Sequence, residues 1–207
     1  MRDLKPVALI AVGLMAGTAA FAAETPIPDS KTRPDSIMFA SIRWLTPVDD
    51  VAAQLAAKGY KETPGARTKD LLAADGKIFD AYAIIHARLD DESRVVRWEI
   101  TVPSKGERNE YAIQRKIYDD LVAELLARYG RRQETVEKFR FPYVKGDPNS
   151  ARGVRGGYVT IRSGWASKGG DRVQVEMTDD MSVALTYESR WWQKMEDERR
   201  RKKAKNL

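Results

Sequence analysis

Hydrophobic and polar residues alternate through the second quarter of the chain. The alternation covers residues 78–89 and 95–102, and four polar residues at 90–93 separate the two runs. A period of two puts apolar side chains on one face of a strand and polar side chains on the other. The pattern therefore predicts an antiparallel hairpin with one face buried and one face in contact with solvent.

Two other stretches have the three-to-four spacing of amphipathic helices. In the first, residues 47–58, Thr46 is suited to capping, Pro47 to the first helical position, and Asp49 and Asp50 to the positive end of the helix dipole. Gly59 is suited to the left-handed stop. The longer stretch, 107–129, is followed by Gly130. Both are predicted to be helices that bury one face.

The remaining apolar runs predict strands at 37–44, 134–144, 158–165, 172–177 and 182–187. Residues 60–75 and 145–157 are predicted to be irregular, and 190–205 to be a charged, helix-permissive tail. This order favours an α+β fold: an antiparallel sheet with two main helices packed on one face and a cationic C-terminal helical tail. A unit of helix plus strands occurs twice, but no residue-level periodicity is apparent.

The first residues have the three parts of a secretory signal peptide. Arg2 and Lys5 precede an apolar stretch, which ends in a small-residue cleavage pattern at Ala20, Phe21 and Ala22. We therefore expect a signal peptide at 1–22, a lead-in at 23–36, one α+β domain at 37–189 and a basic tail at 190–207. Export implies the periplasm or secretion; the alternative is an uncleaved membrane anchor.

The net charge of +6 is unevenly distributed. Residues 1–22 carry +1, residues 23–189 carry zero and residues 190–207 carry +5. A protein that binds nucleic acid in a groove places its excess cations on the folded surface. Nucleic acid is therefore not an expected partner.

Several chemistries lack their usual residues. The chain has no Cys and only one His, His86, so thiol nucleophiles, thiolate metal sites and multi-histidine sites are excluded within one chain. The acids at 90–92 and 179–180 lack the spacing of a calcium loop and are interpreted as turn residues. We nominate no catalytic residue, no metal ligand and no cofactor.

Two regions are candidates for binding. The loop at 145–157 combines arginines with glycines, a composition that suits an anion, and the candidate residues are Arg152, Arg155, Gly156 and Gly157. The alternative is a loop without a ligand. The tail combines an aromatic pair with a run of cations, a composition that suits an anionic surface: Trp191, Trp192, Arg199, Arg200, Arg201, Lys202 and Lys203. Here the alternative is that both indoles cover the sheet edge and the cations are solvated.

Two segments of the chain are similar to parts of a known group of proteins: TPVDDVAAQLAAKGY at 46–60 and the span from IYDDLVAELLARYG to VQVEMTDDMSVALTYES at 117–189. They resemble small exported bacterial proteins of the helix-over-sheet type, similar to β-lactamase-inhibitor-like modules. The resemblance implies a binding or inhibitory scaffold that acts through a surface, and it assigns no functional residue.

The sequence thus favours an exported, non-catalytic binding protein whose partner is an envelope protein or an anionic envelope surface. Its binding elements would be the exposed face of the sheet, the 145–157 loop or the basic tail. Two alternatives stay open. One is a carboxylate-type hydrolase that acts on an envelope polymer, and the other is a membrane-peripheral factor held by the tryptophan pair and the tail.

Overall fold

A computed structural model describes residues 34–106 and 109–205, so the expected signal peptide and most of the lead-in lie outside the described residues. The helices are α1 (Val48–Ala57), α2 (Glu110–Tyr129), α3 (Ser150–Arg155) and α4 (Arg190–Lys205). The strands are β1 (Lys61–Glu62), β2 (Leu71–Ile78), β3 (Ala81–Leu89), β4 (Val95–Val102), β5 (Glu134–Phe139), β6 (Val159–Ala166), β7 (Arg172–Met177) and β8 (Val183–Glu188).

The strands form one antiparallel sheet in the order β1-β2-β3-β4-β8-β7-β6-β5, which confirms the α+β prediction. The order has an internal symmetry. Helix α1 is followed by the four consecutive strands β1 to β4, and α2 by the four strands β5 to β8, so that β4 and β8 meet in the middle. The repeated helix-plus-strands unit is therefore real at the level of elements.

The two helices of the repeat also share residues. Shifting α1 by 70 positions aligns Asp49, Asp50, Leu55 and Ala57 with Asp119, Asp120, Leu125 and Ala127. In both helices the aligned leucine is buried. These identities are confined to the two helices.

Helix α1 begins and ends close to its predicted limits, but Thr46 does not cap it. The Thr46 hydroxyl donates to the Arg43 carbonyl at 2.8 Å, and Pro47 occupies the N-cap position. At the other end Gly59 adopts a φ of +85°. Its N–H donates to the Ala56 carbonyl at 3.0 Å, which ends the helix as predicted.

Helices α1 and α2 cover one face of the sheet, where alternate strand residues form a single hydrophobic core. Trp98 and Trp165 are almost completely buried there. The Phe39 ring lies 5.1 Å from Trp98 and 5.7 Å from Tyr187, centroid to centroid. Phe39 thereby joins the chain before α1 to the two central strands.

The predicted strand at 37–44 does not form. Ala40 and Ser41 have positive φ values, which interrupt an extended strand. The segment is nevertheless part of the core, because Ile37 and Ile42 are fully buried. Trp44 is partly buried against it, and its Nε1 donates to the Ile37 carbonyl at 2.8 Å.

Two regions that were predicted to be irregular contain regular structure. Residues 60–75 include β1 and the first part of β2, and residues 145–157 include α3. Leu72 and Ala74 of β2 face the core, and the Tyr60 ring lies against Gly76. These tertiary contacts stabilise a strand whose own sequence, LLAADGKI, contains poor strand formers.

Candidate interaction face

The face of the sheet opposite α1 and α2 is polar, and we call it the outer face. Strand registers align its residues in rows. One row contains Ile84, Thr101, Ala184, Glu176 and Arg162, and the next contains His86, Glu99, Thr186, Gln174 and Gly164. The short neutral side chains of Thr101, Ala184 and Thr186 therefore lie together on the central strands β4 and β8, with the charged Glu99 and Glu176 next to them.

Ion pairs fix several of the charged side chains around that neutral centre. Arg88 and Arg97 are direct cross-strand neighbours, an arrangement that is unfavourable for like charges. Glu99 compensates both, with its oxygens 3.0 Å from Arg88 Nε and 3.3 Å from Arg97 Nε. Glu188 lies 3.6 Å from Arg97 Nε on the other side. The result is a half-buried, charge-balanced network on β3, β4 and β8.

Beside this network the outer face forms an open depression of about 400 Å³. Most of the residues that line it are neutral polar, acidic or basic residues of β4, β5, β7 and β8. They include Arg97, Glu134, Arg172, Gln174, Glu176, Thr186 and Glu188. Fixed charges of both signs can pair with a partner of complementary charge.

Helix α4 lies along one end of the outer face and is attached by its first turns. The Arg97 guanidinium lies 5.0 Å from the centre of the Trp192 ring, which is within the range of a cation–π contact. The backbone N–H of Trp192 donates to Ser189 Oγ at 3.1 Å. The side-chain Nε2 of Gln193 donates to the Gly170 carbonyl at 2.9 Å. The first turns of α4 therefore pack against β4 and against the turn between β6 and β7.

Both tail tryptophans are half-buried against the body. Trp191 lies beside the β3–β4 turn, near Asp90 and Arg94, and the Arg190 guanidinium stacks on it at 4.3 Å. Trp191 thus lies at the β3–β4 turn and Trp192 at the central strand β4, so neither indole covers an edge strand, β1 or β5.

The second half of α4 differs from the first, because its side chains are exposed and basic. The exposed cations are Arg199, Arg200, Arg201, Lys202 and Lys203. Arg199 Nη1 pairs with Glu196 at 3.0 Å, and Asp197 and Glu198 are the last acidic residues before the cations. The predicted basic residues thus lie on consecutive positions of one exposed helical segment and project around the helix axis.

The candidate anion loop at 145–157 was predicted to be irregular, but part of it forms a short helix. Arg152 and Arg155 lie on α3, and Gly156 is its C-cap. The N–H groups of Gly156 and Gly157 donate to the carbonyls of Arg152 and Val154 at 2.9 and 3.0 Å. The N–H donors that would bind an anion are therefore occupied by the backbone.

Arg155 is also occupied. Its guanidinium bonds to the carboxylate of Glu110, whose side chain is only 9% exposed at the start of α2. Glu110 is a residue that the sequence pattern did not single out. The pair joins α3 to α2 and gives Arg155 a structural role in place of the expected anion contact.

The acids of the hairpin turns are turn residues, as predicted. Asp90 accepts hydrogen bonds from the N–H groups of Glu92 and Arg94 at 3.0 and 2.9 Å. Asp180 accepts from Thr178 and from the Ser182 N–H. The Thr178 hydroxyl contributes most to the lowering of the Asp180 pKa, and the Ser182 bonds add to it against the effect of partial burial.

His86 is half-buried on the outer face, between Ala73 and Glu99 of the neighbouring strands. Across residues 34–106 and 109–205, no group of three or more His, Asp or Glu side chains is arranged to hold a metal ion. None of the helices in these ranges is long and apolar enough to cross a membrane.

Comparison with family models, with curated proteins and with solved structures finds no match to this chain. The resemblance to β-lactamase-inhibitor-like modules stays a prediction from the sequence.

Proposed function

We propose that this chain is an exported, non-catalytic binding protein that contacts an envelope protein through the outer face of its sheet. The observation that carries the proposal is the open depression on β4 to β8, where neutral side chains lie between fixed charges of both signs. Helices α1 and α2 occupy the opposite face, so the outer face is the face of the sheet that they leave open to a partner. Residues 1–22 would direct export.

The charges of the outer face support binding more than hydrolysis. A carboxylate-type hydrolase needs an acid and a base that are both available to substrate. Of the three carboxylates that line the depression, Glu134 pairs with Arg162 and Glu188 with Arg97, and Glu176 alone has no ion pair among the described residues. Such pairs orient a surface for a partner of complementary charge.

The test uses a photo-crosslinking amino acid at Thr186, in the centre of the outer face, with the chain from residue 23 onward in periplasmic extract. We expect one discrete adduct. The matched control carries the same probe at Gln54, which is exposed on α1, and should give none. Purified partner should then bind the native chain, and Thr186→Arg should weaken that affinity at least tenfold while Gln54→Arg leaves it unchanged. Equal effects at the two positions would contradict the proposal.

A second candidate function is contact with an anionic envelope surface, and the exposed cations at the end of α4 favour it. Each cation contributes about 1 kcal/mol near an anionic bilayer. The prediction is that the chain sediments with vesicles containing phosphatidylglycerol and not with phosphatidylcholine vesicles. Replacing Arg200, Arg201 and Lys203 by Gln should abolish sedimentation, whereas replacing the exposed Lys58, Lys61 and Lys77 should not. Sedimentation that is insensitive to both salt and the tail variant would exclude this function.

A further inference from the structure

Strand β5 forms one edge of the sheet and, among the described strands, pairs with β6 alone. It is six residues long, whereas β1 at the other edge has two residues. An edge strand presents a row of backbone N–H and C=O groups with which a further strand can pair. Strand β5 is therefore the edge of this sheet that offers the longer row to another chain.

The hydrogen bonds to β6 identify which backbone groups of β5 point away from the sheet. The Arg140 N–H donates to the Tyr158 carbonyl at 2.9 Å. In an antiparallel ladder alternate residues of a strand bond to the same neighbour, so the even-numbered residues of β5 bond to β6. The N–H and C=O groups of Thr135 and Glu137 therefore point outward.

The side chains of β5 on the outer face carry opposite charges at the two ends of the strand. The alternate residues Glu134, Val136 and Lys138 point to this face, since Glu134 lines the depression there. Glu134 forms an ion pair with Arg162 of β6, whereas Lys138 is exposed and has no ion-pair partner among the described residues. Val136 lies midway between the two charges and is half-buried. A second β5 that runs in the opposite direction would therefore present an acid where this one presents a cation.

We propose that β5 pairs with β5 of a second copy of this chain, antiparallel and about a two-fold axis at Val136. In this register Val136 faces its own copy, and Glu134 of each copy faces Lys138 of the other. Thr135 of each copy exchanges both its backbone hydrogen bonds with Glu137 of the other. Residues of unlike charge that lie directly opposite each other stabilise an antiparallel pair.

The charges favour this register over its neighbours. Shifting the pairing by two residues in one direction places Glu137 directly opposite its own copy, and like charges in that position are destabilising. Shifting it in the other direction places Glu134 opposite Val136, so that the ion pairs between the copies are lost. The two halves of the chain already join in the proposed way, because β4 and β8 pair antiparallel with Arg97 opposite Glu188.

A single introduced thiol tests the register, because the chain contains no Cys. In Val136→Cys the two thiols would belong to a non-hydrogen-bonded pair, whose Cα atoms lie about 4.5 Å apart, within the range of a disulfide. Oxidation of the chain from residue 23 onward with diamide should therefore give a covalent dimer. The matched control is Thr160→Cys, which is exposed on the same face of β6 and should stay monomeric.

Sedimentation velocity measures the association without a crosslink. The native chain should form a dimer as its concentration rises from about 1 µM to 1 mM, because a contact this small binds weakly. Lys138→Glu and Glu134→Lys should each weaken dimerisation at least about tenfold, since like charges then lie opposite each other. An equimolar mixture of these two variants should associate about as strongly as the native chain, because every facing pair is then of opposite charge. Lys58→Glu makes the same change of charge on an exposed residue after α1 and should leave dimerisation unchanged.

A native chain that stays monomeric over this range of concentration would overturn the proposal. Equal crosslinking of Val136→Cys and Thr160→Cys, or a mixture of the charge variants that associates no better than each variant alone, would also overturn it. If Glu134→Lys fails to fold, the crosslink at Val136→Cys and the comparison of Lys138→Glu with Lys58→Glu still decide. The outcome is separate from that of the proposed contact with an envelope protein, because neither Val136 nor Lys138 lines the depression.

Discussion

The contact between Arg155 and Glu110 is expected to stabilise the fold, and replacing Arg155 by Ala tests this role. The guanidinium bonds to a carboxylate whose side chain is 9% exposed, while Arg155 itself is 52% exposed. Glu110 also accepts a hydrogen bond from the Gly106 N–H at 3.1 Å. Arg155→Ala would therefore leave a buried carboxylate with one neutral donor and no cation from the described residues.

The size of the effect follows from this asymmetry of burial. Ion pairs between fully exposed side chains contribute about 0.2–1 kcal/mol, whereas removing one partner of a fully buried pair costs about 3–5 kcal/mol. One partner here is buried and the other is half-exposed, so we expect Arg155→Ala to lower the free energy of unfolding by about 1–3 kcal/mol. Arg152, exposed on the same helix, is the matched control. Arg152→Ala should change the free energy of unfolding by less than about 0.5 kcal/mol.

Urea unfolding followed by tryptophan fluorescence measures both variants. The midpoint should fall for Arg155→Ala with an unchanged slope, which shows that stability and not the unfolded state has changed. Adding Glu110→Gln should recover most of the loss, because the uncompensated charge is then absent. Equal midpoints for the two single variants, or no recovery on adding Glu110→Gln, would refute the structural role of the pair.

Three further predictions concern the packing and the charges. Ser163→Ala should lower the free energy of unfolding, measured in urea, by about 1–3 kcal/mol, because it leaves the buried hydroxyl of Tyr118, 2.8 Å from Ser163 Oγ, without that partner. The double variant with Tyr118→Phe should be no less stable than Tyr118→Phe alone. Additive losses of stability would contradict the pairing. Gly76→Ala places a Cβ 2.3 Å from the tyrosine ring that covers it and should cost about 1–3 kcal/mol, whereas Gly164→Ala, whose nearest atom is 3.5 Å away, should not destabilise the protein. Partial burial raises the pKa of Glu137, but hydrogen bonds from a lysine and an arginine outweigh it and lower the pKa below 4.5. The stabilising contribution of Glu137 is therefore present above about pH 4.5 and lost as pH falls further. Glu137→Gln should reduce the dependence of the unfolding free energy on pH below about 4.5, and an unchanged dependence would contradict this prediction.

How much the sequence predicts depends on whether a segment is stabilised by its own pattern or by distant contacts. The β3–β4 hairpin and α1 carry strong local signals, and both form within a few residues of the predicted limits. Strand β2 contains Asp75 and Gly76, which disfavour strands, so its signal was missed. It forms because β3 pairs along its whole length and covers its backbone groups.

The opposite error occurs at residues 37–44, where many β-formers predicted a strand. Ile37 and Ile42 do bury their side chains, so hydrophobicity correctly identified core residues. Sheet pairing, however, needs a neighbouring edge, and positive φ values at Ala40 and Ser41 turn the chain away from an extended path. Apolar composition thus predicts burial here and not secondary structure.

For the candidate sites, the sequence identified suitable residue types, but it did not predict which contacts those residues make in the fold. The cations of α4 lie together and exposed, as a run of charged residues predicts. Arg155 has the residue type of an anion ligand, but Glu110, 45 positions away in sequence, binds it. No local pattern contains that partner.

The internal repeat shows where the two halves of the fold differ. The matched stretch of α1 and α2 begins near Asp49 and Asp119, whereas α2 extends toward its N-terminus to Glu110. Those extra turns carry Glu110, and the second half also contains α3, which supplies Arg155. In the first half α1 begins at Val48, so it has no turns that correspond to these. The contact between Glu110 and Arg155 is therefore specific to the second half, where it attaches α3 to the added turns of α2.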